Sequence, residues 1–187
     1  DLARFLTGDE VSEVHGAVAP TFIKERNLPD GSGSGASTVD DALLFNASFR
    51  GGAVASFEAS RVAGPHQNGN SIEIDGELGS LRFEFEEMNV LRFFDASDGP
   101  REGGWRRIMC TSAGNHPYVE NWWPDAHVLG YEHCFTNHLA DVMRSLGGEE
   151  PELPLPDFAD AYETQRVLEA AQIAARERCA VRLDDVR

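Results

Sequence analysis

The chain has 187 residues, of which 41% are hydrophobic and 26% are charged, a composition typical of a globular protein large enough to bury its own core. Its 32 acidic and 16 basic residues give a formal charge of −16, which opposes binding to nucleic acids and to anionic membrane surfaces. No apolar run approaches the ~20 residues that a membrane-spanning helix needs, and no signal peptide is recognisable. We therefore expect one large domain with neither nucleic-acid nor membrane partners.

The three cysteines are odd in number and lie far apart, so the sequence indicates neither a disulfide framework nor a CxxC metal site. Cys134 and Cys179 fall within helical patterns, where we expect them to be small buried residues. Unpaired cysteines fit a reducing compartment, and we expect a cytoplasmic location.

The first 110 residues carry mainly strand patterns. Residues 1–9 indicate the last turns of an amphipathic helix closed by Gly8, which suggests a piece of a longer protein cut within that helix. Residues 24–38 are polar and rich in glycine, and they predict a flexible loop. Residues 11–23 carry β-branched and apolar residues at mixed spacing and predict a first strand. Further strands are predicted over residues 42–49, 53–60, 71–86, 90–94 and 105–110, and the clear alternation in residues 71–86 predicts two strands across a turn at Gly76 and Gly79.

Helical spacing replaces alternation in the last third of the chain. A helix is predicted from about residue 125 to residue 146, with its apolar residues on one side and Gly147-Gly148 as its end. Asp157 is placed to cap a second helix that runs to about Arg178, and residues 180–183 predict a short last strand. Consecutive strands followed by two helices favour an α+β domain with an open, largely antiparallel or mixed β-sheet and helices packed on one face.

Residues 115–135 join the strand half to the helical half and hold an unusual concentration of aromatic and imidazole side chains. This segment contains two of the three tryptophans, two of the three tyrosines and three of the six histidines. Aromatic faces beside imidazoles and amides suit a polar, hydroxylated small molecule. The alternative is a packed connector whose tryptophans fill the core and whose histidines satisfy helix ends.

The order of several motifs resembles the C-terminal domain of the Gfo/Idh/MocA oxidoreductases, a family that includes glucose-fructose oxidoreductase and inositol dehydrogenases. The resemblance covers nearly the whole chain. It rests on residues 1–9, Ser60-Arg61-Val-Ala-Gly64, Ile72-Glu-Ile-Asp-Gly-Glu-Leu-Gly-Ser-Leu81, His116-Pro-Tyr, residues 122–132 and the ending from 154 to 183.

This resemblance implies that residues 1–187 are a substrate-binding and oligomerisation domain of an enzyme whose N-terminal Rossmann domain binds NAD or NADP. That enzyme would transfer a hydride between the cofactor and a sugar, polyol or cyclitol. It would be a homo-oligomer, a dimer or tetramer formed through the open sheet face.

The chain departs from the family pattern in its missing motifs. It has no GxGxxG after a strand, because Gly31, Gly33 and Gly35 follow a polar run, and it has neither Glu-Lys-Pro nor the family's Asp-x-x-x-His pair. No catalytic residue is therefore expected in this chain. The catalytic lysine is expected upstream of Asp1, and the chain alone is expected to be inactive. The alternative function is a non-catalytic carbohydrate-binding or oligomerisation module of the same fold.

Six residues are candidates for a substrate wall. A carboxylate such as Asp1 accepts hydroxyl hydrogen bonds, and Arg61 at a strand end can hold a substrate or cofactor oxygen or pair with an acidic residue. His127 and Tyr131 are four residues apart, and we expect them to share a helix face that lines a cleft. His116 and the tryptophan pair at 122 and 123 complete this prediction. The candidates are Asp1, Arg61, His116, Trp123, His127 and Tyr131.

A metal site is not expected from the remaining histidines. Among His127, His133, Cys134 and His138, only Cys134 and His138 have the helical spacing of a ligand pair. We expect His133 and His138 to be structural or surface residues.

Overall fold

The computed structural model describes residues 1–186, which form two compact units. The first unit comprises Asp1–Pro65 together with the described residues from Pro156 onward, and the second comprises His66–Leu155. The helices are α1 (Leu2–Thr7), α2 (Tyr131–Leu146) and α3 (Phe158–Glu177). The strands are β1 (Val11–Val18), β2 (Glu25–Asn27), β3 (Ser34–Ala36), β4 (Ala42–Phe49), β5 (Val54–Ser60), β6 (Ser71–Gly76), β7 (Gly79–Glu84), β8 (Val90–Asp95), β9 (Arg106–Met109) and β10 (Val181–Arg182).

The expected α+β class with antiparallel strands is confirmed. One four-stranded sheet has the order β10-β1-β4-β5, a second has the order β6-β7-β8-β9, and β2 and β3 form a separate hairpin. Every strand pair of the described residues is antiparallel. The strands therefore divide between the two units instead of forming the single sheet that the sequence suggested.

The first unit buries its core between α3 and one face of its sheet. Small residues on α3, among them Ala170, Ala171 and Ala174, let the helix lie close to Val14 and Ala47, and all five are buried. The rings of Phe45 and Phe57 stack between neighbouring strands with their centroids 4.8 Å apart. The small alanine side chains therefore allow the backbone of α3 to lie close to the sheet, which gives the dense packing typical of protein cores.

The buried side chain of Arg4 joins α1 to the rest of this unit through hydrogen bonds. Its Nε atom donates to Glu10 Oε2 at 2.6 Å, and Nη1 donates to the Asp160 carbonyl at 3.2 Å and to Thr164 Oγ1 at 3.0 Å. A buried guanidinium needs all of these acceptors, because an unpaired buried charge is strongly destabilising. The short helix also ends as predicted, with Gly8 left-handed and its N–H bonded to the Arg4 carbonyl.

Two sequence predictions are wrong in this region. The first strand ends at Val18 instead of residue 23, because the N–H groups of Phe22 and Ile23 donate to the buried Asp41 carboxylate at 2.6 Å and 2.7 Å instead of to a strand. The predicted loop at 24–38 contains the β2–β3 hairpin, and the Arg26 guanidinium reaches the same carboxylate. One buried acid therefore organises a segment that its polar composition marked as flexible.

The second unit contains the predicted hairpin of residues 71–86, with Gly76 paired to Gly79 across the turn. The helix predicted to begin near residue 125 begins at Tyr131 instead. Ala126 has a positive φ of 71°, which interrupts helical geometry, and His133 Nδ1 accepts the Gly130 N–H at 3.0 Å to start α2. His127 therefore precedes α2, and the prediction that it shares a helix face with Tyr131 is wrong.

The cysteine prediction is also wrong, because Cys134 and Cys179 are exposed and Cys110 is half-buried. All three are free thiols. Between residues 1 and 186, the helices are too short or too polar to cross a bilayer.

Candidate functional site

The aromatic and imidazole segment lies between β9 and α2, and side chains from elsewhere in the second unit hold it in place. The Asn89 amide bonds both backbone groups of Leu129: Nδ2 donates to its carbonyl at 2.9 Å, and Oδ1 accepts its N–H at 2.8 Å. Asp125 Oδ1 accepts the Ala113 N–H at 2.9 Å. These bonds join residues up to 40 apart in the chain, so the segment is a fixed scaffold and not a free loop.

The neighbouring residues Trp122 and Trp123 differ in burial. Trp122 is half-buried, with its ring edge-on to His133 at 4.4 Å and its Nε1 donating to Asn137 Oδ1 at 2.7 Å. Trp123 keeps 44% of its surface exposed. One indole therefore belongs to the interior of the unit, and the other presents a face to solvent.

His127 stacks on that exposed indole. The rings of Trp123 and His127 have centroids 6.2 Å apart and an interplanar angle of 28°. His127 Nδ1 lies 3.1 Å from the Pro124 carbonyl and 3.3 Å from the Asp125 carbonyl, both of which are acceptors. These partners assign the proton of the neutral ring to Nδ1. Nε2 is then an acceptor for a hydroxyl group.

Backbone strain marks the same place. Ala126, immediately before His127, is one of two non-glycine residues with positive φ among residues 1–186. Such a conformation costs of order 1–3 kcal/mol and persists only where surrounding contacts enforce it, often at ligand sites. Here the Asp125 bond to Ala113 and the Asn89 clamp on Leu129 flank it on either side.

Tyr131 belongs to a second aromatic group at the start of α2. Its ring lies edge-on to Phe85 at 5.7 Å and to Phe135 at 4.9 Å, and 57% of the residue is exposed. The phenol is thus fixed by two rings while remaining accessible. Tyr131 and Phe85 connect α2 to the short turn after β7.

His116 is held differently from His127. Its Nδ1 accepts the Tyr118 N–H at 3.3 Å, and partial burial lowers the pKa of the imidazole below its usual value. Loss of hydration disfavours the charged ring, so His116 is neutral at physiological pH. His133 is buried at the start of α2 and has a structural role, as predicted, and His138 is exposed on the same helix.

Asp1 and Arg61 belong to the first unit. Asp1 is exposed at the start of α1, and its side chain forms no capping bond with that helix. Arg61 follows β5 and donates its backbone N–H to the Asp41 carbonyl at 2.9 Å. Within residues 1–186 its guanidinium has no acidic partner, although the sequence offered such pairing as an alternative. Both side chains are therefore accessible to a ligand.

The donor set of the described residues suits neither a metal ion nor a dinucleotide. Residues 1–186 contain no group of three or more histidine, cysteine or acidic side chains arranged to hold a metal. Gly31 and Gly33 have positive φ, but they lie in the turn of the β2–β3 hairpin and not between a strand and a helix. A pyrophosphate cradle needs the N-terminus of such a helix. The side chains described above are suited instead to a neutral, hydroxylated molecule.

Sequence reasoning missed the residues that position the segment. Nothing in the sequence singles out Asn89, because its partner Leu129 is 40 residues away. Asp141 was also missed: it is buried in α2 and accepts the Tyr118 hydroxyl and the Glu152 N–H, the latter at 3.0 Å. A usable pattern did exist, since His133, Asn137 and Asp141 recur every four residues opposite the apolar side of α2.

Comparison with known proteins gives a consistent result. A family model described as the GFO/IDH/MocA C-terminal domain matches residues 1–82. Levoglucosan dehydrogenase from Pseudarthrobacter phenanthrenivorans is 34% identical over 193 aligned positions, which cover 95% of this chain and 47% of that protein. The chain thus spans about half the length of this relative.

Solved structures extend the similarity to the fold. The crystal structure of an oxidoreductase domain protein from Kribbella flavida is 46% identical, with a TM-score of 0.87 over 98% of this chain and 47% of that one. Levoglucosan dehydrogenase in complex with NADH and L-sorbose is 33% identical, with a TM-score of 0.86 over the same shares of the two chains. From the family match, the identities and these folds, we conclude that the chain belongs to the GFO/IDH/MocA family and corresponds to its C-terminal domain.

Proposed function

We propose that the chain is the substrate-binding part of an NAD(P)-dependent oxidoreductase that transfers a hydride between the cofactor and a sugar, polyol or cyclitol. The observation that carries this proposal is the similarity to levoglucosan dehydrogenase along 95% of the chain. Solved structures described as levoglucosan dehydrogenase contain NADH together with levoglucosan or L-sorbose. The cofactor would accept or donate the hydride, and the half of the relatives outside this chain would supply its Rossmann domain and the catalytic lysine.

The chain's own residues would bind and orient the substrate. Trp123 offers an indole face to the C–H surface of a sugar ring, and His127 Nε2 accepts a hydroxyl hydrogen bond beside it. Tyr131 and His116 would line the same wall, which belongs to the second unit. Asp1 and Arg61 are proposed separately, as contacts that the first unit offers to a substrate hydroxyl or oxygen. No residue of this chain is assigned a proton-transfer role.

Assembly and location are part of the same proposal. The first unit's sheet has an outward face of small and polar residues around His15, Asn46 and Ser56, with Val54 79% exposed. We propose that this face forms the contact of a homodimer or homotetramer. A cytoplasmic location fits three free thiols and an enzyme that turns over a nicotinamide pool.

The test is an assay of the full-length protein for NAD(P) reduction with a panel of sugars, polyols and cyclitols, inositol included. Turnover with at least one of them supports the proposal. Binding of a polyol without any nicotinamide reduction would favour the alternative, a carbohydrate-binding module of the same fold.

Variants then test the assigned residues. His127→Ala and Trp123→Ala should each raise KM roughly tenfold, equivalent to about 1.4 kcal/mol of binding, with a smaller change in kcat. His138→Ala is the matched control, because His138 is exposed on α2 outside the Trp123–His127 pair. An unchanged KM in both test variants would remove the pair from the substrate wall.

A further inference from the structure

Helix α2 has an inverted amphipathic arrangement. Its apolar residues at helical spacing face outward, and between 57% and 78% of each residue is exposed. We call this set the α2 stripe: Tyr131, Phe135, Leu139, Met143 and Leu146. The residues that α2 turns inward are polar, with His133 and Asp141 buried and Asn137 half-buried.

This orientation is fixed by hydrogen bonds and does not result from a loosely placed helix. His133 accepts the Gly130 N–H at 3.0 Å, and Asn137 accepts the Trp122 indole N–H at 2.7 Å. Asp141, two turns after His133, accepts the Tyr118 hydroxyl. Rotating the stripe inward would break all three interactions and leave buried polar groups without partners. The stripe must therefore face away from its own unit.

Five large apolar side chains along one helix form a continuous exposed patch. Folded proteins rarely leave such patches to solvent unless they serve as contact surfaces. The stripe has the pattern of an apolar helix face that lies in a hydrophobic groove, with contacts every three or four residues. A complementary surface is therefore expected to cover it.

We propose that the α2 stripe docks against the part of the protein that lies outside these 187 residues, the nicotinamide-binding half assigned under the proposed function. Aligned relatives are about twice as long as this chain, which covers 47% of each, so a segment of matching size is available to cover the stripe. A covalently linked half also acts at high effective concentration.

Charge argues against a lipid surface as the occupant, because a chain with a formal charge of −16 is repelled by anionic lipids. A second copy is already assigned to the sheet face of the first unit under the proposed function. Membrane-surface helices are in addition rich in lysine and arginine on their polar face, whereas α2 contains a single arginine and no lysine. An apolar surface of the same polypeptide meets neither obstacle.

The experiment measures accessibility in the full-length protein. Cys110, Cys134 and Cys179 are first replaced by alanine, and a single thiol is introduced by Leu139→Cys or by Met143→Cys. Leu78→Cys is the matched control, because Leu78 is a large apolar residue, 84% exposed, in the turn between β6 and β7. The rate of maleimide labelling is measured for each variant, and circular dichroism checks that each is folded.

The two stripe thiols should react at least about tenfold more slowly than the control thiol, since access would require a local opening of the docked surface. A bifunctional cross-linker at position 139 should capture a peptide outside these 187 residues. Equal rates at all three positions would overturn the proposal. Protection that disappears on dilution to a monomer would overturn it in favour of a second copy, and protection that requires vesicles would do so in favour of a lipid surface.

Failure here is distinguishable from failure of the proposed function. Labelling does not depend on turnover, so an active dehydrogenase with a reactive stripe contradicts the docking alone. An inactive protein with a protected stripe contradicts the reaction alone. If one of the variants Leu139→Cys and Met143→Cys misfolds, the labelling rate of the other still tests the docking proposal.

Discussion

Buried polar residues set the geometry of the candidate site at the level of single side chains. In the second unit, Asp141 and Tyr118 are both buried and bonded to each other. The Tyr118 bond, and then the Glu152 N–H, holds the pKa of the Asp141 carboxyl below its usual value. Burial, and then the neighbouring carboxylate, raises the pKa of the Tyr118 hydroxyl. A neutral phenol donating to an ionised acid is therefore the stable pair.

Tyr118→Phe should lower the free energy of unfolding most at intermediate pH. A lowered carboxyl pKa gives stability that is present above its unfolded value near 3.9 and is lost as pH falls through the folded value. A raised phenol pKa gives stability that is present below ~10 and is lost as pH rises toward the folded value. Denaturant unfolding of wild type and variant from pH 3 to pH 11 measures the difference.

That difference should be widest between about pH 5 and pH 9 and should narrow at both ends. Tyr162→Phe is a suitable control, because Tyr162 is half exposed and lies on α3 in the other unit. A gap between wild type and Tyr118→Phe that stays constant with pH would show that the two groups do not titrate as a pair.

The helices and strands of the chain differ in whether neighbouring or distant residues determine where they begin and end. The β6–β7 hairpin depends on residues adjacent in sequence: Gly76 pairs with Gly79 across the turn, and Gly79 has a φ of 155°. Helix α3 starts where Asp157 accepts the Asp160 N–H at 2.8 Å. Helix α2, in contrast, starts where distant contacts allow it, since Asn89 holds Leu129 just before it. The elements set by contacts between neighbouring residues were predicted well, whereas the start of α2, which depends on a contact 40 residues away, was not.

Gly79→Ala should destabilise the second unit by about 2–3 kcal/mol, because φ near 155° is strained for a residue with a side chain. A Cβ atom at this position would lie 2.2 Å from the Phe94 carbonyl oxygen of β8, a backbone atom that cannot move without breaking the pairing. Thermal and denaturant unfolding measure the loss.

Gly76→Ala is the matched control in the same turn. Its Cβ would have ordinary contact, 3.6 Å from the Gly79 carbonyl, and its φ is not positive. The control should therefore change the unfolding free energy by less than about 1 kcal/mol. Equal effects of the two substitutions would mean that the close approach to β8 does not limit this position.

Charge is the property that acts on the whole molecule. Acidic residues outnumber basic ones two to one, 32 against 16, and several arginines already have acidic partners, such as Arg4 with Glu10 and Arg92 with Glu87. The remaining excess of negative charge repels itself in the folded state. This repulsion is long-ranged and therefore sensitive to salt, whereas buried ion pairs are less so.

The unfolding midpoint of the 187-residue chain should rise by a few degrees between 10 mM and 150 mM salt, because the screening length falls from ~30 Å to ~8 Å over that range. Differential scanning calorimetry at pH 7 measures the shift. NaCl and KCl should act alike if screening is the cause. A midpoint that falls with salt would show that local ion pairs contribute more than the net repulsion.

The sequence by itself determined the α+β class, most strand positions, the Gly8 and Asp157 helix boundaries, and the aromatic and imidazole segment at 115–135. Alternation, helical spacing and capping act between residues close in the chain, so their pattern can be read directly. The same holds for the resemblance to its family, which depends on motif order.

Only the tertiary structure decided which faces of the helices and strands are buried and which side chains of residues 115–135 are exposed. The β2–β3 hairpin depends on Asp41, the division of Trp122 from Trp123 depends on Asn137 and His133, and the outward turn of α2 depends on Asp141. Each involves a polar group bonded across a gap in sequence. Burial of such a group is stable only when its partner is in place, and no local pattern specifies that partner.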